Sequence, residues 1–124
     1  MKILYVENHA VFAATVIRHF LSSHSVTIAP SLSTAREALD AGCFDLLLVD
    51  YDLGDGKGDE LVTELNTAGR SIPVIGVSSH EAGNTALLRA GAVAVCGKMQ
   101  FDRIQTTIDL VTARTKDSGS LGLV

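Results

Sequence analysis

The chain has no apolar run approaching the roughly 20 residues that a helix needs to cross a bilayer, which excludes a helical membrane span. It also has no cluster of Lys and Arg. With 10 basic against 14 acidic residues and a formal charge of −4, it is poorly suited to neutralising a phosphate backbone, so direct nucleic-acid binding is not expected. Cysteine is scarce. Cys43 and Cys96 have neither metal-ligand spacing nor a nearby partner, and read as reduced thiols in a reducing compartment. The four histidines, His9, His19, His24 and His80, are scattered, and none pairs at helical spacing with another ligand type, which argues against a histidine-based zinc site. A secretory signal is missing too, because Glu7, Asn8 and His9 break the first apolar stretch after Val6. A cytoplasmic location is expected, with Met1, so close to the first strand, as a true N-terminus. What is present is 124 residues, 47% of them hydrophobic, ample for one core and one domain.

Five short aliphatic or β-branched runs occur in order, at Ile3–Val6, Val26–Ala29, Leu46–Val49, Val74–Val77 and Ala92–Val95. They are apolar on both faces, as strands of a covered parallel sheet must be. Helical patterns separate them. Phe12, Val16, Ile17, Phe20 and Leu21 build one stripe between His9 and Ser23. A second helix over 33–41 takes Ser33 or Thr34 as N-cap, with Glu37 completing a capping box, and Gly42 ends it. Asp59 and Glu60 open a third helix whose buried side is Leu61, Val62 and Leu65, and Gly69 closes it. A fourth spans 82–90 and stops at Gly91, and a fifth starts near Phe101 with Ile104, Ile108 and Val111 on the same face. This (βα)5 order predicts an α/β, flavodoxin-like, doubly wound five-stranded parallel sheet with five helices. Residues 1–115 form the expected domain, and 116–124, which lack periodicity, a flexible tail or the start of a linker.

In such a fold the site lies beyond the carboxyl ends of the strands. There the chain places Glu7-Asn8 after the first strand, Asp50 after the third, Ser78-Ser79 after the fourth and Gly97-Lys98 after the fifth. A carboxylate nucleophile beside a second acid calls for a hard, oxygen-seeking cation, for which Mg²⁺ is best suited. A transferred phosphoryl group also needs donors around its oxygens, and Lys98 and Ser78 provide an ammonium and a hydroxyl. The glycines of Gly54-Asp55-Gly56-Lys57-Gly58 do not make a phosphate loop. Gly58 follows the lysine where that motif needs Ser or Thr, so tight turning before the third helix is the expected use.

The runs ILYVEN, LLLVDYDLGDGKG, PVIGVSS and GAVAVCGK resemble the signature segments of the response-regulator receiver family, over roughly residues 2–113. The resemblance implies a phosphoacceptor at Asp50, a hydroxyl at Ser78 that follows the phosphoryl group, and a lysine at Lys98 that bonds to it. It further implies Mg²⁺, or Mn²⁺, held by Glu7, Asn8, Asp50 and the backbone carbonyl of Asp52. Three positions depart from the family pattern. Asn8 stands where a second acid is usual, which weakens the cation site, although an amide oxygen still ligates Mg²⁺ or Ca²⁺. Val95 stands where an aromatic switch residue is usual, three before the lysine. Met99 replaces the proline after it, so a trans bond and a reshaped loop are expected. Asp52 and His80, each two past a key residue, sit where they could touch the path of an attacking water and set the phosphoryl lifetime.

The implied partners are a sensor histidine kinase or phosphotransfer protein and an output protein or domain, with the chain a monomer or a phosphorylation-dependent dimer. The competing reading is a pseudo-receiver, an interaction module with weak or no phosphorylation, motivated by Asn8, Val95 and Met99. A more distant one is an aspartyl-phosphate hydrolase, suggested by Asp50-Tyr51-Asp52. Those enzymes place the motif after the first strand and need further segments that this chain is too short to supply.

Overall fold

The computed structural model describes residues 1–122, with side chains described through Ala113. The main sheet holds β1 (Lys2–Val6), β2 (Ser25–Ala29), β3 (Leu46–Val49), β6 (Val74–Gly76) and β7 (Ala94–Val95). Between β3 and the third helix, β4 (Asp52–Leu53) and β5 (Gly56–Lys57) form a small antiparallel ladder. The sheet order is β2-β1-β3-β6-β7 and every pairing in it is parallel. The helices are α1 (Ala10–Phe20), α2 (Leu32–Ala41), α3 (Gly58–Thr67), α4 (Glu81–Ala90) and α5 (Ile104–Gly122), with a 3₁₀ segment (Lys98–Arg103) before the last. This is the flavodoxin-like arrangement that the alternating pattern predicts. Among the described residues no helix is long and apolar enough to cross a membrane.

The alternation of β1 explains the two-layer core. Leu4 and Val6 face a cluster with α2, α3 and α4 residues, including Leu32, Leu39, Leu61, Leu65 and Leu87. Ile3 and Tyr5 face the opposite cluster, with Val16, Phe101, Ile104 and Ile108. Burying each Leu-sized side chain contributes about 1.5–3 kcal/mol, so an unbroken apolar strand stabilises both layers together.

Several local expectations need correction. α2 is capped by Ser31, whose side chain accepts from the Thr34 backbone while Thr34 returns the bond to the Ser31 N–H. Ser33 and Thr34 are therefore inside the helix, and Glu37 has no part in the box. The choice is tertiary: the Asp55 carboxylate accepts from the Leu32 and Ser33 N–H groups at 2.8 and 3.0 Å, which fixes the first turn one residue group earlier. Gly42 caps the helix in extended backbone rather than a left-handed one. Phe20, assigned to the buried stripe of α1, is 38% exposed, its ring tilted against that of His19 at 6.2 Å between centroids. β7 covers only Ala94–Val95 of the expected Ala92–Val95, because only those two residues pair with β6, at Ile75 and Gly76. The expected tail at 116–124 lies outside the residues with described side chains, and its backbone as far as Gly122 continues α5.

Candidate functional site

The carboxyl ends of β1 and β3 are neighbours in the sheet, and this brings Glu7 beside Asp50. The Asp50 N–H donates to the Val6 carbonyl at 3.0 Å, carrying the ladder to the last residue before the turn. Both acids are buried, Glu7 completely and Asp50 to 3% exposure. Lys98 reaches in from the start of the 3₁₀ segment, its Nζ 2.7 Å from Glu7 Oε1 and 2.9 Å from Asp50 Oδ2. The Tyr51 N–H donates to Asp50 Oδ1 at 2.8 Å. The Lys98 stem packs toward Phe12, with Nζ 5.2 Å from the ring centroid, and Phe12 in turn meets Phe101 edge-on.

Two buried carboxylates therefore share one ammonium. Burial pushes the Asp50 carboxyl up to about 6, with the Glu7 charge adding to the rise and Lys98 opposing it. Burial pushes Glu7 upward as well, but hydrogen bonds from Lys98 and Asp50 and the lysine charge outweigh it, leaving Glu7 below the usual glutamate range. Burial would lower Lys98, yet bonding to the two acids raises it above its ordinary value. The uncompensated negative charge is what makes this pocket receptive to a cation.

Oxygen donors surround that charge. The exposed Asn8 carboxamide, in the orientation that satisfies its nitrogen, sits 3.2 Å from Glu7 Oε2 and 3.3 Å from the Asp52 carbonyl oxygen. Turned the other way, it offers its own oxygen to the same pocket. Two carboxylates, an amide and a backbone carbonyl are the donor set that Mg²⁺ and Mn²⁺ take, so the residues present fit such an ion. His9 stands among them, with its ligand atom and those of Glu7 and Asp50 all within 4.8 Å of one another.

Ser78 follows β6, two residues past its last residue Gly76, and is 2% exposed. Its backbone is held on both sides by the Asn84 carboxamide, which accepts from the Ser78 N–H at 2.9 Å and donates to its carbonyl at 3.2 Å. Ser78 Oγ accepts from the His80 N–H at 3.1 Å. Gly83 has no room for a Cβ, which would press on Ser78 Oγ and Tyr51. Gly58 is equally constrained: a Cβ there would overlap the Asp50 carbonyl, so α3 starts directly beneath the acid only because that residue is glycine. The hairpin glycines thus serve chain path, as the sequence indicates.

The remaining predicted residues surround this centre without joining it. The Asp52 side chain turns outward to an ion pair with Lys57 and is 56% exposed. His80 is exposed at the N-terminal end of α4. Val95, Lys98 and Met99 line a groove of about 580 Å³ with Ser78, His80 and Leu88. Met99 is 91% exposed. Among the described residues no peptide bond is cis, so the bond before Met99 is trans.

A family model described as the response regulator receiver domain matches residues 3–109. The chain belongs to this family. Receiver domains of this kind are parts of two-component systems. The chain is 28% identical over 116 residues to a transcriptional regulatory protein ZraR from Klebsiella oxytoca, covering 91% of the chain and 26% of that relative. It thus spans about a quarter of the length of the curated relatives it matches. In fold it is similar to the receiver domain of a LuxO-type repressor protein from Vibrio parahaemolyticus, with a TM-score of 0.84, 19% identity and coverage of 97% and 95% of the two chains. It is also similar to a response regulator protein from Burkholderia pseudomallei whose structure carries a phosphorylated aspartic acid, a calcium ion and citrate. There the TM-score is 0.76 at 19% identity, with 97% of this chain and 73% of that one covered.

Three contributors to this receiver's site escaped the sequence. Asn84 lies on α4, six residues beyond Ser78, with no local motif to mark it. Tyr5 looked like one more apolar strand residue, yet its buried hydroxyl lies under the site with no hydrogen bond of normal geometry. Burial first, and then the charges of Glu7 and Asp50, push that phenol strongly upward. His9 read as a helix start, although its position directly after Glu7-Asn8 was the available signal.

Proposed function

We propose that this receiver domain accepts a phosphoryl group on Asp50 and uses the modified state to change a protein–protein interaction. The observation that carries the reading is the buried Glu7–Lys98–Asp50 cluster at the ends of β1 and β3, with Asp50 Oδ2 2.9 Å from the lysine. An Asp50 carboxylate oxygen attacks phosphorus, and the bond from phosphorus to the donor's nitrogen or oxygen breaks, its electron pair leaving with the donor. Lys98 moves its hydrogen bonds to the transferred group, and the Ser78 hydroxyl donates to a second phosphoryl oxygen. Glu7, Asn8, Asp50 and the Asp52 carbonyl hold Mg²⁺ or Mn²⁺. When bound, such an ion supplies the positive charge that offsets two acids and an incoming anion in one pocket.

The phosphorylated aspartic acid and divalent ion in the Burkholderia pseudomallei protein support this reading by likeness of fold. The donor is a sensor histidine kinase or a phosphotransfer protein, and the recipient of the signal an output protein or domain. The unit that does this spans residues 1–115, and it acts as a signalling domain rather than an enzyme with turnover. Asp52 and His80 tune the phosphoryl lifetime from the rim, and Val95 and Met99 shape the groove that reports it.

Incubation with Mg²⁺ and acetyl phosphate, followed by intact-mass measurement, tests the reading. A phosphoryl adduct that is missing in Asp50→Ala is expected. An unmodified protein at high Mg²⁺ sinks it in favour of an interaction-only receiver, the reading that neutral Asn8 favours. Steady turnover of a phosphomonoester would instead indicate a hydrolase.

A further inference from the structure

His9 occupies the N-cap position of α1, where a side chain ordinarily accepts from the exposed N–H groups of the first turn. It makes no such bond. Its imidazole turns back over its own chain, placing Nδ1 3.4 Å from Glu7 Oε2. The Asn8 amide nitrogen, in its satisfied orientation, lies 3.1 Å from the same Nδ1, so Nδ1 is the acceptor there and carries the lone pair that a metal would take once Asn8 turns its oxygen toward the ion. Three consecutive residues thus converge on one point beside Asp50: an acid, an amide and an imidazole. Ligand atoms of Glu7, His9 and Asp50 all lie within 4.8 Å of one another, close to the span of one first-row metal's coordination sphere.

We propose that His9 is a direct nitrogen ligand to the divalent cation of this receiver domain, and that it turns the site's preference from Mg²⁺ to Mn²⁺ and other first-row transition metals. This rests on the cation site proposed above. Asn8 takes one negative charge out of the pocket, which weakens attraction for Mg²⁺, an ion held chiefly by charge and oxygen. An imidazole nitrogen compensates selectively, because nitrogen ligands favour Mn²⁺ and the later metals over Mg²⁺. Asn8 and His9 act in one direction. His9 is 69% exposed at its side chain, so its role is not to fill the core.

Pulsed electron paramagnetic resonance of the full chain loaded with MnCl₂ reads the bond directly. Nitrogen-14 modulation characteristic of imidazole is expected, lost in His9→Ala and replaced by nitrogen-15 lines in protein carrying nitrogen-15 histidine. Titration calorimetry should show Mn²⁺ binding about tenfold weaker in His9→Ala while Mg²⁺ binding changes little. Mn²⁺ that binds without histidine modulation overturns the proposal, as does a failure to bind Mn²⁺ at millimolar concentration. Phosphorylation at Asp50 is scored separately with acetyl phosphate and Mg²⁺. An adduct without histidine modulation leaves the phosphoacceptor reading standing and removes His9. Histidine modulation without an adduct does the reverse.

Discussion

The two sides of Asp50 are built to different standards. Toward β1 the charges are paired: Glu7 and Asp50 share Lys98, the backbone of Tyr51 closes on the acid, and both carboxylates are buried. Toward β7 the same rim opens into a groove of about 580 Å³ floored by Val95 and flanked by an exposed Met99. The first side is specified by electrostatics, where a misplaced atom leaves a buried charge unpaired. The second is specified by loose van der Waals contact, where a side chain can change size at little cost. A receiver can therefore keep its acceptor chemistry intact while the surface that reads it drifts.

The sharpest way to break this contrast is Lys98→Met. It strands two acids, and a loss of about 3–5 kcal/mol is expected at neutral pH in urea denaturation. The loss should shrink toward pH 5, where Asp50 takes up a proton. An equal loss at both pH values would mean that the acids are not coupled through the lysine.

Asp50→Asn should move stability the other way. The folded-state value of about 6 lies above the ordinary aspartate value of 3.8, so folded protein holds a proton that unfolded protein has released. Stability from this group is full below the unfolded value and falls as pH rises through 6. Asparagine removes that penalty and is expected to stabilise by about 1–3 kcal/mol at pH 7.5 and by little near pH 4. A pH-independent difference in thermal midpoint would contradict the assignment.

Tyr5→Phe removes a buried hydroxyl that lacks a well-formed bond. A gain of about 1 kcal/mol is expected by chemical denaturation, since the ring stays packed on Phe101. A clear loss would show that the hydroxyl supports Glu7. On the open side, Val95→Phe should change stability by less than about 1 kcal/mol, because the added ring enters the groove rather than the core. A core-sized penalty there would erase the difference between the two sides.

The sequence made one kind of feature legible and hid another. Strands β1 and β3 were plain because burial on both faces leaves unbroken apolar runs, and the site acids follow them without a gap. Topology rules then placed Glu7, Asp50, Ser78 and Lys98 on one rim. What stayed hidden depends on contacts between distant residues. The sequence pointed to Ser33 or Thr34 as the cap of α2, whereas Asp55, more than 20 residues away in the chain, helps to set it at Ser31. The Asp52–Lys57 ladder is too short to carry a period of two. Asn84 holds Ser78 through a helix face that no spacing announces, and the turn of His9 away from its own helix is a side-chain choice.

The Asp55 bridge has a further consequence for the segment after the acceptor. Residues 51–57 include two glycines and would be slack on their own, yet Asp55 ties their middle to the first turn of α2 and Lys57 ties their end back to Asp52. The disorder of this loop is lost when the domain folds, not when a ligand arrives. The Asp52 carbonyl is accordingly a preorganised donor, and binding at the site escapes an ordering penalty that a free loop would impose.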